Sequence, residues 1–212
     1  MLTNDNIIRS LSANQHQILK WILELYVPRG VFDYDPTYSK GNFYKEGVPE
    51  PSVKSDIKKI ENGFIADVTD LPFPDNSFDS ICFDPPFVMG SGPSVQYPKE
   101  GSNIINKRFG IFKNVDELWG FYFLSLLELY RTLKKDGVLI FKCQDCIVSA
   151  KQYLSHVEII NKAHQIGFYP KDIFILSANN RILSGKVKKQ QHARKFHSYF
   201  LVLQKTKSKV QY

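Results

Sequence analysis

The residue types best placed to do chemistry stand at Asp84-Pro85-Pro86-Phe87, directly after the apolar run Ile81-Cys82-Phe83. A run of that length reads as a buried strand. The prolines must end it, because proline lacks the ladder donor and biases the residue before it to extended geometry. A carboxylate and an aromatic ring are therefore held on a stiff turn at a strand's carboxyl end. In open α/β sheets that edge is where ligands bind. Two stretches upstream carry related chemistry. Asp35-Pro36-Thr37-Tyr38-Ser39-Lys40-Gly41 follows a short strand expected at Val31–Tyr34, and Asp67-Val68 precedes the turn Leu71-Pro72-Phe73-Pro74 and the return Asn76-Ser77-Phe78-Asp79. Pro72 and Pro74 fix that turn and send the chain back to the sheet.

The tetrapeptide resembles the Asp-Pro-Pro-Tyr/Phe motif of S-adenosylmethionine-dependent methyltransferases that act on exocyclic amino groups of bases, the DNA adenine-N6 and cytosine-N4 type. An aromatic amine is a poor nucleophile because its lone pair is conjugated into the ring. The resemblance implies that Asp84 and the Pro85 carbonyl accept hydrogen bonds from that amine and free the lone pair, that Pro86 completes the turn, and that Phe87 stacks on the base. In this family the first strand ends in Asp-Pro-Phe-x-Gly-Ser-Gly. Residues Asp35, Pro36, Thr37, Tyr38, Ser39 and Gly41 are similar, with Ser39 in place of the first glycine, so a differently shaped turn is expected there. Gly41 is kept, and glycine lets the backbone approach a cofactor without a β-carbon in the way. By the same resemblance Asp56, after a second strand over Val53–Ile57, holds the ribose hydroxyls of the cofactor, Asp67 accepts from its adenine amino group, and the Val68 amide faces the adenine ring. The stretch from Gly63 to Asp79 is similar to many class I methyltransferases, and the motifs stand in the order cofactor loop, adenine acid, catalytic turn.

Composition and charge bound the partners. At 212 residues with 43% hydrophobic content, the chain can bury one α/β core. No apolar run reaches the length of a membrane span, and the opening MLTNDNIIRS shows no basic segment followed by an apolar one. Three cysteines, Cys82, Cys143 and Cys146, are too few for a disulfide scaffold. A cytoplasmic protein without membrane partners is expected. The net charge of +7 is unevenly spread: residues 1–130 hold 12 Lys and Arg against 17 Asp and Glu (−5), and residues 131–212 hold 16 against 4 (+12). A basic half beside an acidic half suggests a polyanion, nucleic acid first. Candidate contacts are Lys107 and Arg108, with Tyr97, in a polar loop over 88–113, and Lys188, Lys189, Arg194 and Lys195 in a basic segment over 177–195. A loop that long inside a compact domain is usually functional or disordered.

These residues need positioning elements. Ile18, Trp21, Ile22 and Leu25 give a helix over 14–27. Residues 42–52 read as a polar loop. Asn114 with Glu117 resembles a capping box opening a helix over 114–135. Asp136-Gly137 turns into a buried strand at Val138–Lys142, a helix follows over 155–166, and strands are expected at Asp172–Leu176 and His197–Leu203. Cys143-Gln144-Asp145-Cys146 is a lone pair of cysteines, whereas zinc needs four ligands; it reads as a strand end on the substrate side. His192 and His197 read as structural or phosphate-contacting. The run from Gln191 to Tyr199 is similar to the closing segment of many amino-methyltransferases.

The expectation is one domain over 1–212, with a core at 14–205, a substrate loop at 88–113 and a tail at 206–212. Its fold is α/β and Rossmann-like, a seven-stranded mixed sheet with the last strand antiparallel and helices on both faces. The implied activity is transfer of a methyl group from S-adenosylmethionine to adenine N6 or cytosine N4 of DNA, with no metal because the sulfonium already activates the methyl. Carbon-5 methylation of cytosine is disfavoured, since it requires a cysteine nucleophile after a proline and the chain has no Pro-Cys dipeptide. There is little room for a separate target-recognition domain. An RNA amino-methyltransferase therefore stays open, as do a partner subunit or homodimer, a small-molecule amine substrate, and a non-catalytic subunit that binds cofactor or nucleic acid.

Overall fold

The structure, a computed structural model, describes residues 7–87, 112, 114–178 and 191–206. The chain runs β1 (Leu11–Ser12), α1 (Gln15–Tyr26), β2 (Tyr34–Asp35), β3 (Val53–Asp56), β4 (Phe64–Ile65), β5 (Phe78–Phe83), α2 (Val115–Thr132), β6 (Leu133–Cys143), β7 (Cys146–Val148), β8 (Lys151–Tyr153), α3 (Ser155–Ile166), β9 (Phe168–Ser177) and β10 (His197–Lys205). Eight strands form the main sheet in the order β1-β9-β10-β6-β5-β2-β3-β4, and β7 and β8 pair as a separate hairpin. Neighbours in the main sheet are parallel except β10, which is antiparallel to both β6 and β9. The sheet is thus mixed with its last strand antiparallel, as expected, but it has eight strands and not seven. The eighth is β1, two residues long, which adds to the edge of β9 when Ile175 N–H donates to the Ser10 carbonyl at 2.7 Å. So short a strand leaves no periodic signal, and it lies outside the core boundary expected at residue 14.

Alternation along the inner strands divides the core. Ile81 and Phe83 of β5 and Leu139 and Phe141 of β6 face Leu118, Tyr122, Leu126 and Leu129 of α2 and Ile159 and Ala163 of α3. The residues between them, Cys82, Val138 and Ile140, face Ile18, Leu19, Ile22 and Leu23 of α1. Helices therefore cover both faces, and a strand buried on both sides reads as an unbroken apolar run. None of the described helices is long and apolar enough to cross a membrane.

Local signals set most helix limits. Asn14 caps α1, its side chain accepting from His16 and Gln17 N–H. Asn114 caps α2, accepting from Glu117 N–H at 2.8 Å. Gly167, at φ 120°, ends α3. Helix α2 stops at Thr132, three residues short of the expected end, because Leu133 already pairs with Phe78 of β5. Within β6 the residues Lys134–Gly137 then bulge out of register, with Asp136 at φ 65°, and pairing resumes at Ser80 with Val138. The strand expected at Val31–Tyr34 is assigned only from Tyr34, although the Asp33 backbone already bonds to both neighbours, donating to the Ser80 carbonyl at 3.2 Å and accepting from Val53 N–H at 2.8 Å; its side chain accepts from Asp79 and Ser80 N–H and from Arg29.

Candidate active site

Strand order reverses between β2 and β5, with β3 and β4 on one side and β6, β10 and β9 on the other. Ligands of open α/β sheets bind outside the carboxyl ends of the strands at such a switch point. Tyr34 of β2 is in register with Ile81 of β5. The two strands consequently deliver Asp35 and Asp84 to the same edge.

Asp35 is only 3% exposed. Its carboxylate accepts from the Tyr44 hydroxyl at 2.6 Å and from the Thr37 amide and hydroxyl at 2.7 and 3.0 Å. The Thr37 hydroxyl in turn accepts the backbone N–H of Asp84 at 2.9 Å. One hydroxyl thus couples the loop after β2 to the turn after β5. Burial pushes the Asp35 carboxyl up to about 7; its hydrogen bonds oppose this, and the nearby Asp84 charge adds to it.

A cleft of about 180 Å³ opens between this loop and the sheet, lined by Gln15 of α1, Asp35, Thr37, Tyr38, Ser39, Asn42, Phe43, Asp84 and Lys142 of β6. The expected cofactor loop and the expected catalytic acid therefore share one cavity. Ser39 takes φ 52°, the left-handed region that glycine favours, so the turn keeps a glycine-like backbone at the position where serine stands. Gly41 has φ 63°, and a β-carbon there would sit 2.5 Å from the Tyr38 hydroxyl oxygen. Asp56 at the end of β3 holds the same loop, accepting from Ser39 N–H at 3.0 Å. Pro36 is buried, and Tyr38 packs face to face with Tyr44. Asp67 is exposed and makes its own tight turn, accepting from the Thr69 amide and hydroxyl, and Val68 is buried.

The turn itself is braced. Pro85 is buried and Pro86 and Phe87 are half-buried. The Tyr122 hydroxyl of α2 donates to the Pro86 carbonyl at 3.1 Å. Next to Asp84, Lys142 places its ammonium 3.7 Å from Oδ1 and over the rings of Phe43 and Phe200 at 4.7 and 5.5 Å.

Several of these groups escaped the sequence. The sequence shows Lys142 only as the last residue of an apolar strand, and the ending of Val138-Leu139-Ile140-Phe141 in lysine is the available signal. Residues 42–52 are irregular, but Phe43, Tyr44 and Val48 are buried against α1. Past the end of β6, buried Asp145 accepts from His156 Nδ1 at 2.7 Å and from the Tyr199 hydroxyl at 3.4 Å, and the Tyr199 hydroxyl and His197 Nε2 lie 2.9 Å apart. The His156 and Tyr199 rings stack with centroids 4.2 Å apart. Cys143 and Cys146 have thiols pushed up by burial, away from the thiolate that redox or metal chemistry uses. Among the described residues no cluster of three or more His, Cys, Asp or Glu could hold a metal. Arg194 is exposed and Lys195 half-buried in the segment leading into β10. The loop 88–113 apart from Phe112, and with it Tyr97, Lys107 and Arg108, lies outside the described residues, as do Lys188, Lys189 and the tail from 207.

No protein-family model matches the chain, and no curated protein matches it by sequence. Solved structures do match. A chain of the complex between the Haloferax volcanii Trm112 methyltransferase activator and a methyltransferase superposes with a TM-score of 0.51 at 13% identity, covering 94% of this chain and 92% of that one. An S-adenosylmethionine-dependent methyltransferase from Thermotoga maritima gives 0.50 at 12% identity, covering 90% and 88%. The fold is that of the class I methyltransferases. TrmN from Thermus thermophilus also gives 0.50 at 15% identity, covering 89% of this chain, which spans about half of TrmN's length at 48%.

Proposed function

We propose that the chain is an S-adenosylmethionine-dependent methyltransferase acting on the exocyclic amino group of a base in nucleic acid, with DNA, at adenine N6 or cytosine N4, as the favoured target. One observation carries this: the acid of Asp84-Pro85-Pro86-Phe87 and the loop Asp35–Phe43 line a single cleft at the strand switch point and are joined through the Thr37 hydroxyl. The donor set fits the cofactor, because two carboxylates in one small cleft suit a cationic ligand. Asp56 and Asp67 supply further acceptors on the loops after β3 and β4 for its ribose and adenine ends.

When bound, the cofactor supplies a methyl group already activated by its sulfonium. The protein's part is to present the amine. Asp84 and the Pro85 carbonyl accept the two amine N–H groups, which draws the nitrogen toward tetrahedral geometry and turns its lone pair to the methyl. Phe87 stacks on the ring and fixes its plane. The Thr37 hydroxyl on the Asp84 amide and the Tyr122 hydroxyl on the Pro86 carbonyl hold both ends of the turn, so positioning supplies most of the acceleration. On duplex DNA the base must first leave the stack.

The test incubates the protein with tritiated S-adenosylmethionine and, in parallel, unmethylated DNA, total RNA and free nucleosides, then digests the products to nucleosides. Label in N6-methyladenine or N4-methylcytosine from DNA is the expected result. Label only in RNA or only in free nucleosides would replace the substrate, and label in 5-methylcytosine would overturn the chemistry. With Asp84→Ala we expect transfer to fall by about 10²-fold or more while cofactor affinity stays within about tenfold; near-normal turnover would remove Asp84 from the mechanism.

A further inference from the structure

Among the described residues lining the cleft, Lys142 is the one cation. It stands on the face of β6 that otherwise carries Val138 and Ile140, packed against α1. A lysine there gives up much of its hydration, and its side chain is only 12% exposed. The rings of Phe43 and Phe200 hold its ammonium at the cleft. At 3.7 Å its link to Asp84 is an ion pair and not a hydrogen bond. The three N–H donors of the ammonium are therefore not spent on Asp84. Among its described residues the cleft thus presents two carboxylates, Asp35 and Asp84, and one ammonium.

S-adenosylmethionine carries the reverse set: a sulfonium, an ammonium and one carboxylate. Resting on the proposed function above, we infer that Lys142 binds the carboxylate of the cofactor's methionine moiety, while Asp35 and Asp84 face its two cationic centres. The three side chains then read the ligand by all of its charges. A sulfonium alone would be repelled by a lysine placed beside it. A ligand with its own carboxylate turns that lysine into a partner and relieves Asp84 of it, leaving the Asp84 carboxylate to the amine. The product, S-adenosylhomocysteine, keeps the carboxylate and ammonium but loses the sulfonium charge, so Lys142 does not distinguish substrate from product.

Calorimetric titration of the full chain with S-adenosylmethionine, its decarboxylated form and S-adenosylhomocysteine tests this without turnover. Wild type should bind the decarboxylated form about 10- to 100-fold more weakly. Lys142→Met should bind both forms alike and keep the wild-type ratio between S-adenosylmethionine and S-adenosylhomocysteine, and Lys142→Arg should restore part of the discrimination. Equal binding of the two forms by wild type, a comparison that needs no variant to fold, would overturn the assignment of Lys142 alone. Discrimination that survives in Lys142→Met would do the same. Binding of none of the three would overturn the methyltransferase reading and this assignment with it.

Discussion

Asp35 shows how much one residue's surroundings decide. Its neighbour in sequence, Asp33, is also buried, yet it is fully engaged in structure, accepting two backbone N–H groups of β5 and an arginine. Asp35 instead lines the cleft, with its carboxyl raised to about 7 first by burial. A raised carboxyl binds its proton more tightly in the folded than in the unfolded chain. The stability this contributes is complete below the ordinary value of 3.8 and is lost as pH climbs through about 7. Between pH 5 and pH 8 the ligand-free protein should therefore lose stability, on the order of a few kcal/mol, relative to Asp35→Asn. Urea midpoints at the two pH values check it. A cationic cofactor favours the ionised carboxylate, so its affinity should rise with pH across the same window in the wild type and stay flat in Asp35→Asn. A wild-type profile parallel to that of the variant in both measurements would show that Asp35 does not titrate there.

At the scale of elements, the site depends on the register between β5 and β6. Phe83 pairs with Phe141, which sets Asp84 beside Lys142, and that register follows the bulge Lys134–Gly137 in β6. Gly137 is packed so closely that a β-carbon would lie 2.9 Å from the Asp79 carbonyl oxygen and 3.0 Å from that of Lys134. Both contacts are backbone and cannot swing aside. Gly137→Ala should cost about 1–3 kcal/mol, seen as a lower urea midpoint at unchanged slope; a midpoint equal to wild type would mean that the bulge can shift freely. The Asn114 cap, the limits of α3 and the end of β5 at Asp84-Pro85-Pro86 were legible in the sequence, because each is written in adjacent residues; the turn expected at Asp136-Gly137 is instead a bulge inside β6, which begins at Leu133. The end of α2 was not legible, since Leu133 is taken by Phe78, a residue more than fifty positions away. Lys142, Tyr122 and the Asp145-His156-Tyr199 group were hidden for the same reason. Which way a strand side chain points, and what it meets, is settled by register and by the helix packed on that face.

At the scale of the whole molecule, the acidic and basic halves of the sequence supply different strands around the switch point, while β1 and α1 of the acidic half lie against strands of the basic half. Strands β2 to β5 come from the acidic residues 1–130, and β6, β9 and β10 from the basic residues 131–212. The switch point between β2 and β5 is thus on the acidic side of the sheet, and the basic side begins one strand away at β6. On the proposed function, a polyanionic target would meet cations of the basic half beside a cleft that suits a cationic cofactor. The target's pull should then be strongly salt-dependent, because each phosphate neutralised releases counterions. Arg194 and Lys195, in the segment leading into β10, are the expected phosphate contacts that lie among the described residues. Replacing both by alanine should weaken nucleic-acid binding across sequences and lower the slope of log affinity against log salt by about 1 to 2, with S-adenosylmethionine affinity unchanged. An unaltered slope would move the phosphate contacts off this segment. A wild-type slope near zero would mean that the target is not a polyanion, and the basic half would then be a solvated surface around an enzyme for small amines.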